Sequence, residues 1–189
     1  YFIKNGFVEF NSLLDKQECS RLYNKIKNSR KWGPKLFQSE NKYKLEFKNK
    51  PKIKLNPGRG IQNLVDEQNL EFIEKNKSII ELLKIILGEN YEIISSKIVV
   101  AVPNDWMPNY VKQLNEKKLI SNFNEYIKKE FRDVTYFRGI DYHMDSIDWE
   151  NKNNEFITLY VYLNDTDETM SPLNVIKKSH IFGHTSFPH

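Results

Sequence analysis

Glu155-Phe156-Ile157-Thr158-Leu159-Tyr160-Val161-Tyr162-Leu163 is the stretch on which the fold reading turns. Side chains alternate across an extended backbone, so Phe156, Thr158, Tyr160 and Tyr162 share one face while Ile157, Leu159, Val161 and Leu163 share the other. This is the strongest strand pattern in the chain. Asn164, Asp165, Thr166 and Asp167 follow it with residues suited to a turn. Upstream, residues 91–102 are rich in β-branched side chains and stop at Pro103, which predicts another strand. From Val134 onward the sequence reads as strand and tight loop.

Helical spacing dominates the earlier half. Leu14, Leu22, Tyr23 and Ile26 predict an amphipathic helix over about residues 13–28, opened by a capping-box pattern of Ser12 and Asp15 beside Asn11. Leu70, Ile73, Ile80, Leu83 and Leu87 predict a second helical region, with Gly88 placed to end it. Leu119, Phe123 and Ile127 suggest a short helix before Phe131. Residues 30–66 show no period and contain Gly33, Pro34, Pro51, Pro57, Gly58 and Gly60, which predicts loops with short strands. Helices precede strands, so the expected class is α+β, a helical layer packed on a mainly antiparallel sheet.

The 189 residues suit one domain, and 39% hydrophobic with 13% aromatic residues argues for a folded chain. Cys19 is the single cysteine, which excludes an intrachain disulfide scaffold. No apolar run is long enough to cross a bilayer, and no basic-then-apolar leader opens the chain, so a cytoplasmic location is expected. The chain opens on Tyr1 and closes at His189 without a terminating pattern, so a fragment is expected. Twenty-nine basic against 25 acidic residues give a net charge of +4, and 24 of the basic residues are Lys. Arginine supplies bidentate phosphate and base recognition, so five arginines do not make a specific nucleic-acid reader. Lys42, Lys44, Lys48, Lys50, Lys52 and Lys54 form the densest basic cluster. The last four alternate at period two, either as a landing strip for an anionic substrate or as the charged edge of a strand; the solvated edge is the favoured reading.

Chemistry concentrates in Phe137-Arg138-Gly139-Ile140-Asp141-Tyr142-His143-Met144-Asp145-Ser146-Ile147-Asp148-Trp149. His143 and Asp145 are two apart, so on an extended backbone they project to the same side. An imidazole nitrogen beside a carboxylate oxygen is a ligand pair suited to Fe(II). The pattern is short and recurs by chance; taken alone, His143 would be read as a hydrogen-bonded core histidine. Downstream stands Thr169-Met170-Ser171-Pro172-Leu173-Asn174-Val175-Ile176-Lys177-Lys178-Ser179-His180-Ile181-Phe182-Gly183-His184.

That downstream segment resembles the G-P-L-x-V-x-P-G-S-H-x-x-G-H signature of the phytanoyl-CoA dioxygenase family, Fe(II)- and 2-oxoglutarate-dependent oxygenases with a double-stranded β-helix fold. Gly6-Phe7-Val8-Glu9-Phe10 and the following helix look like the family's amino-terminal opening, Tyr142-His143-Met144-Asp145 like its metal motif, and Tyr160-Val161-Tyr162-Leu163-Asn164-Asp165 like the strand after it. The resemblance implies a single, incomplete domain over 1–189: a jelly-roll, cupin-like barrel with N-terminal helices on the sheet, truncated at the C-terminus. It implies His143 and Asp145 as metal ligands and catalytic residues, Tyr160 lining the 2-oxoglutarate pocket, and Lys97 (or, one residue away, Ser96) near the co-substrate. It further implies hydroxylation of a small organic substrate by O2, with 2-oxoglutarate converted to succinate and CO2. An Asp at 145 fits hydroxylation or desaturation, since related halogenases lack a carboxylate there. Asp148 and Trp149 would lie at the substrate mouth.

Two departures stand out. Lys177-Lys178 replaces the signature's Pro-Gly, and Ser171 replaces its leading Gly. The family's third ligand, a late histidine, and its 2-oxoglutarate-binding arginine are expected beyond His189, so the 189-residue chain alone is expected to be inactive. His180, His184 and His189 are less favoured stand-ins for the third ligand, because in the family the Ser-His histidine orders a loop. The alternative is a jelly-roll binding module without a complete metal site. A nonspecific nucleic-acid binder would need basic residues interleaved with aromatics, and only Tyr43 and Phe47 lie among the lysines. The expected partners are therefore a small-molecule substrate and O2, with no specific nucleic acid and no membrane.

Overall fold

The computed structural model describes residues 1–47, 64–118, 120, 122–139, 142, 156–170 and 172–182. The backbone groups into two compact units. Tyr1–Lys25, Asn69–Ile94 and Asp141–His189 form unit 1, and Ile26–Gln68 with Ser95–Ile140 form unit 2.

Unit 1 opens with a single helical turn, α1 (Phe2–Asn5), ended by Gly6 at φ 83°, a left-handed conformation that glycine adopts without a Cβ clash. The first long helix is α2 (Lys16–Asn28), whose last turn belongs to unit 2. It starts later than the apolar spacing predicts because Asp15, rather than Ser12, caps it. The Asp15 carboxylate accepts from Gln17 N and Glu18 N, both at 2.9 Å, while Ser12 sits at φ 61° outside the helix. Leu22 and Ile26, four residues apart, form its buried stripe.

The second helical region divides into α4 (Glu71–Glu74) and α5 (Lys77–Leu87), numbered after α3 (Glu40–Phe47), which belongs to unit 2. Asn76 makes the break: its side chain accepts from Ile79 N at 3.2 Å and begins a new helix. Gly88 closes α5 at φ 90°, as its position predicts. Residues 156–162, the expected strand, form no helix or ladder among the described residues, and Tyr160 and Tyr162 are about half exposed. The backbone bends at 163–164, short of the turn expected over Asn164–Asp167, and then enters a 3-10 turn, Glu168–Met170, held by the Asp167 carboxylate, which accepts from Thr169 N at 2.8 Å.

Unit 2 holds the core. After a 3-10 turn at Pro34–Leu36 comes α3 (Glu40–Phe47), where residues 30–66 were expected to be loop and short strand. On this helix Tyr43 and Phe47 are one turn apart, their ring centroids 5.3 Å apart, while Leu45 is exposed. Lys42 and Lys44 therefore ride on a helix, and Lys48, Lys50, Lys52 and Lys54 lie outside the described residues.

Two short strands, β1 (Val99–Ala101) and β2 (Thr135–Phe137), pair in parallel with Val100 opposite Tyr136. Parallel strands need a long crossover, and this one carries α6 (Asn109–Lys117). Pro108 stands at its N-cap and Asn115 accepts from Ile120 N at 2.9 Å beyond its end. The helix expected around Phe123 is a 3-10 turn, Asn124–Tyr126, because Asn124 serves β2 instead. Its side chain donates to Val134 O at 2.8 Å and accepts from Tyr136 N at 2.9 Å, and its backbone cannot also continue a helix. Leu36, Val111, Phe123, Tyr126, Ile127, Val134 and Tyr136 are essentially sealed from water around this pair. The expected antiparallel barrel calls for further strands; β1–β2 is the one ladder among the described residues.

Candidate functional site

His143 and Asp145, the expected iron ligands, lie outside the described residues, as do Asp148, Trp149, His184 and His189. Tyr142, beside the motif, is exposed. Among the described residues no three His, Cys, Asp or Glu side chains gather as a metal site. Tyr160 stands half exposed in unit 1. Lys97 and Ser96 are exposed in unit 2, just ahead of β1.

What unit 1 does bring together is the amino-terminal opening and the downstream segment that ends in Ser179–Phe182. The final 3-10 turn, Ser179–Phe182, docks against α1. Lys178 N donates to Asn5 O at 2.9 Å, and His180 Nε2 lies 2.9 Å from Ile3 O. A carbonyl oxygen only accepts, so Nε2 donates this hydrogen bond. Nδ1 faces Gly6 so closely that a Cβ there would overlap the ring. His180 thus joins the two segments, with Nε2 bonded to Ile3 O and Nδ1 against Gly6. The glycine of the amino-terminal opening has a role that its sequence position alone did not reveal.

The second junction joins the expected strand to the signature: Leu173 N donates to Tyr162 Oη at 3.1 Å. Between the junctions, Lys178 adopts φ 67°. That left-handed conformation costs an L residue roughly 1–2 kcal/mol, and Lys178 occupies the place where the signature has glycine.

Unit 2 assembles a polar cluster of another kind. Arg30 forms a fork with Asp133, Nη1 to Oδ1 at 2.6 Å and Nη2 to Oδ2, and Nη1 also reaches Tyr136 Oη at 3.3 Å. Its guanidinium lies 5.0 Å from the Trp32 ring centroid and 5.6 Å from that of Phe131. The Asp133 hydrogen bond is the largest influence on Arg30, holding it firmly charged. Burial pushes the Tyr136 and Tyr110 phenols up to about 12 each. Arg132 makes a second fork with Glu46, at 2.7 and 2.8 Å, and donates to Ile127 O at 2.8 Å. Arg138 donates to Val102 O and Arg21 pairs with Glu18, so each described arginine is engaged within the chain. These groups are matched to one another and leave no nucleophile or open acid–base pair. Burial, followed by the charges of Asp15 and Glu18, raises the Cys19 thiol and keeps it protonated.

An open concavity of about 690 Å³ runs along α3, lined by Asn41, Tyr43, Lys44, Leu45 and Phe47. Its one ammonium, Lys44, pairs with Glu40 at 2.7 Å. No helix among the described residues is long and apolar enough to cross a membrane. Comparison with known proteins gave no match: no family model, no curated protein and no solved structure aligns with this chain.

Proposed function

We propose that this chain belongs to an Fe(II)- and 2-oxoglutarate-dependent oxygenase of the phytanoyl-CoA dioxygenase type, acting on a small organic substrate in the cytoplasm. One observation carries the reading furthest: Lys178, at the signature's glycine position, holds the positive φ that glycine would supply. Support also comes from the contacts of that turn with the amino-terminal opening at Asn5, Ile3 and Gly6. Sequence motifs more than 170 residues apart therefore act as one structural feature.

In this reading His143 and Asp145 hold the iron, a donor set of imidazole nitrogen and carboxylate oxygen that suits a divalent first-row metal. Bound iron with 2-oxoglutarate and O2 supplies the oxidising chemistry, and succinate and CO2 leave with the hydroxylated product. The chain's own part is placement. Asp145 contributes a negative charge that an inert ligand would not. Tyr160 offers an aromatic wall and a phenol to the co-substrate, and Lys97 or Ser96 a polar contact. His180 stays outside the ligand set and fixes the turn. The double-stranded β-helix over 1–189 is the fold this reading carries.

The test is succinate production from 2-oxoglutarate by the gene product at its natural length, with Fe(II) and ascorbate. Turnover that is lost in His143→Ala and in Asp145→Ala, but retained in His180→Gln, supports the assignment. Turnover unaffected by His143→Ala rejects it.

A further inference from the structure

The junction of α1 with the Ser179–Phe182 turn presents a surface whose composition the oxygenase reading does not use. Residues 1–8 and 172–182 contain no Asp or Glu, yet they carry Lys4, Lys177 and Lys178, all exposed. None of the three has an ion-pair partner among the described residues. Beside them stand isoleucines that face water: Ile3 is 87% exposed, Ile181 64% and Ile176 52%. The two segments are held as one surface by the Lys178–Asn5 and His180–Ile3 hydrogen bonds. A single exposed apolar residue is ordinary, but several on two segments that hydrogen bonds hold together, with lysines in the same segments, mark an interaction site.

We propose that this patch docks on an anionic lipid surface, with Lys4, Lys177 and Lys178 over the phosphates and Ile3, Ile176 and Ile181 entering the acyl boundary. Charge complementarity selects the partner: three lysines without a neighbouring acid match a negative leaflet. The isoleucines favour lipid over an acidic peptide, because a peptide carboxylate would satisfy the lysines and leave Ile3 in water. Contact is peripheral, since no described helix can span a bilayer. The surface replaces the expectation of no membrane partner and stands independently of the oxygenase assignment. It would hold the protein beside amphiphilic, membrane-partitioned molecules.

The experiment is co-sedimentation of the full chain with vesicles of equal parts phosphatidylcholine and phosphatidylserine, against vesicles of phosphatidylcholine alone. Binding is expected only with phosphatidylserine and falls as salt rises. Replacing Lys4, Lys177 and Lys178 together by Gln weakens it roughly 100-fold, about fivefold per lysine. Ile3→Ser with Ile181→Ser weakens it about tenfold or more, with an unchanged circular dichroism spectrum. Equal sedimentation with both vesicles, or with neither, overturns the proposal. So does a result in which the isoleucine changes are silent and polyglutamate competes the vesicles away, which would assign the patch to an acidic protein.

Discussion

Unit 2 and unit 1 solve the problem of burying apolar surface differently. In unit 2 the parallel pair β1–β2 is enclosed by Phe123, Tyr126, Ile127, Val111 and Val134, and its arginines are locked onto Asp133 and Glu46. Among the described residues of unit 1 the buried positions are few, and Ile85, Ile93, Leu159, Tyr162 and Ile176 are exposed. The motifs expected to carry chemistry fall in the second region. A rigid, internally matched unit has little left over for a ligand, whereas the unit with unmatched side chains is where function has room.

The difference should be largest in the core. Phe123→Ala is expected to destabilise unit 2 by about 3–5 kcal/mol, read as a lower urea midpoint by tryptophan fluorescence from Trp32 and Trp106. The corresponding change at exposed Leu159 in unit 1 should be nearly silent. If Leu159→Ala cost as much, the contrast between the units would be lost.

Alkali should act on unit 2 in the same way. Tyr136 and Tyr110 keep their protons to about 12, whereas an unfolded phenol ionises near 10. The raised folded value means the stabilisation is complete below pH about 10 and is lost as pH rises through about 12. Denaturant midpoints followed across that window should fall, and Tyr136→Phe should flatten the fall. An unchanged slope in Tyr136→Phe would contradict the assignment.

Next comes the ion pair. Arg30 is 9% exposed at its side chain, so Asp133→Ala strands a cation and should cost about 2 kcal/mol. Removing Glu18 from the exposed Arg21 pair should cost no more than about 0.5 kcal/mol. Comparable losses from both changes would show that burial does not separate these pairs.

In unit 1 two glycine-related substitutions should have opposite signs. Gly6→Ala places a Cβ against His180 at φ 83° and should open the junction, at a cost of about 1–2 kcal/mol. Lys178→Gly relieves the left-handed turn and should tighten the junction by about 1 kcal/mol. Hydrogen exchange at Gly6 and Lys178 N–H reads both. A faster exchange in Lys178→Gly would break the parallel with the glycine of the signature.

Much of the helical framework was legible because its signals are local: the stripe of α2 and the stop at Gly88 depend on neighbours in sequence. The misreadings have particular causes. Ser12 and Asp15 are both competent caps, and only the backbone geometry chooses Asp15. Residues 40–47 show no clear apolar period, and the helix there is supported by tertiary packing of Tyr43 onto Tyr126, ring centroids 4.9 Å apart. Asn124 as a surrogate partner for β2 depends on a residue twelve positions away and has no local signature. At the candidate site, residue identity suggested His143 and Asp145 without their geometry. The resemblance implied a loop-ordering role for His180, but its partner, Ile3, lies 177 positions earlier and has no local signature.

The central claim is that His143 and Asp145 hold iron, and its most direct test is anaerobic titration of the natural-length protein with Fe(II) in the presence of 2-oxoglutarate. The account predicts a visible charge-transfer absorption that saturates at one iron per chain and is absent in both His143→Ala and Asp145→Ala. Saturable iron binding that survives both substitutions, or no binding by the unaltered protein, would contradict it.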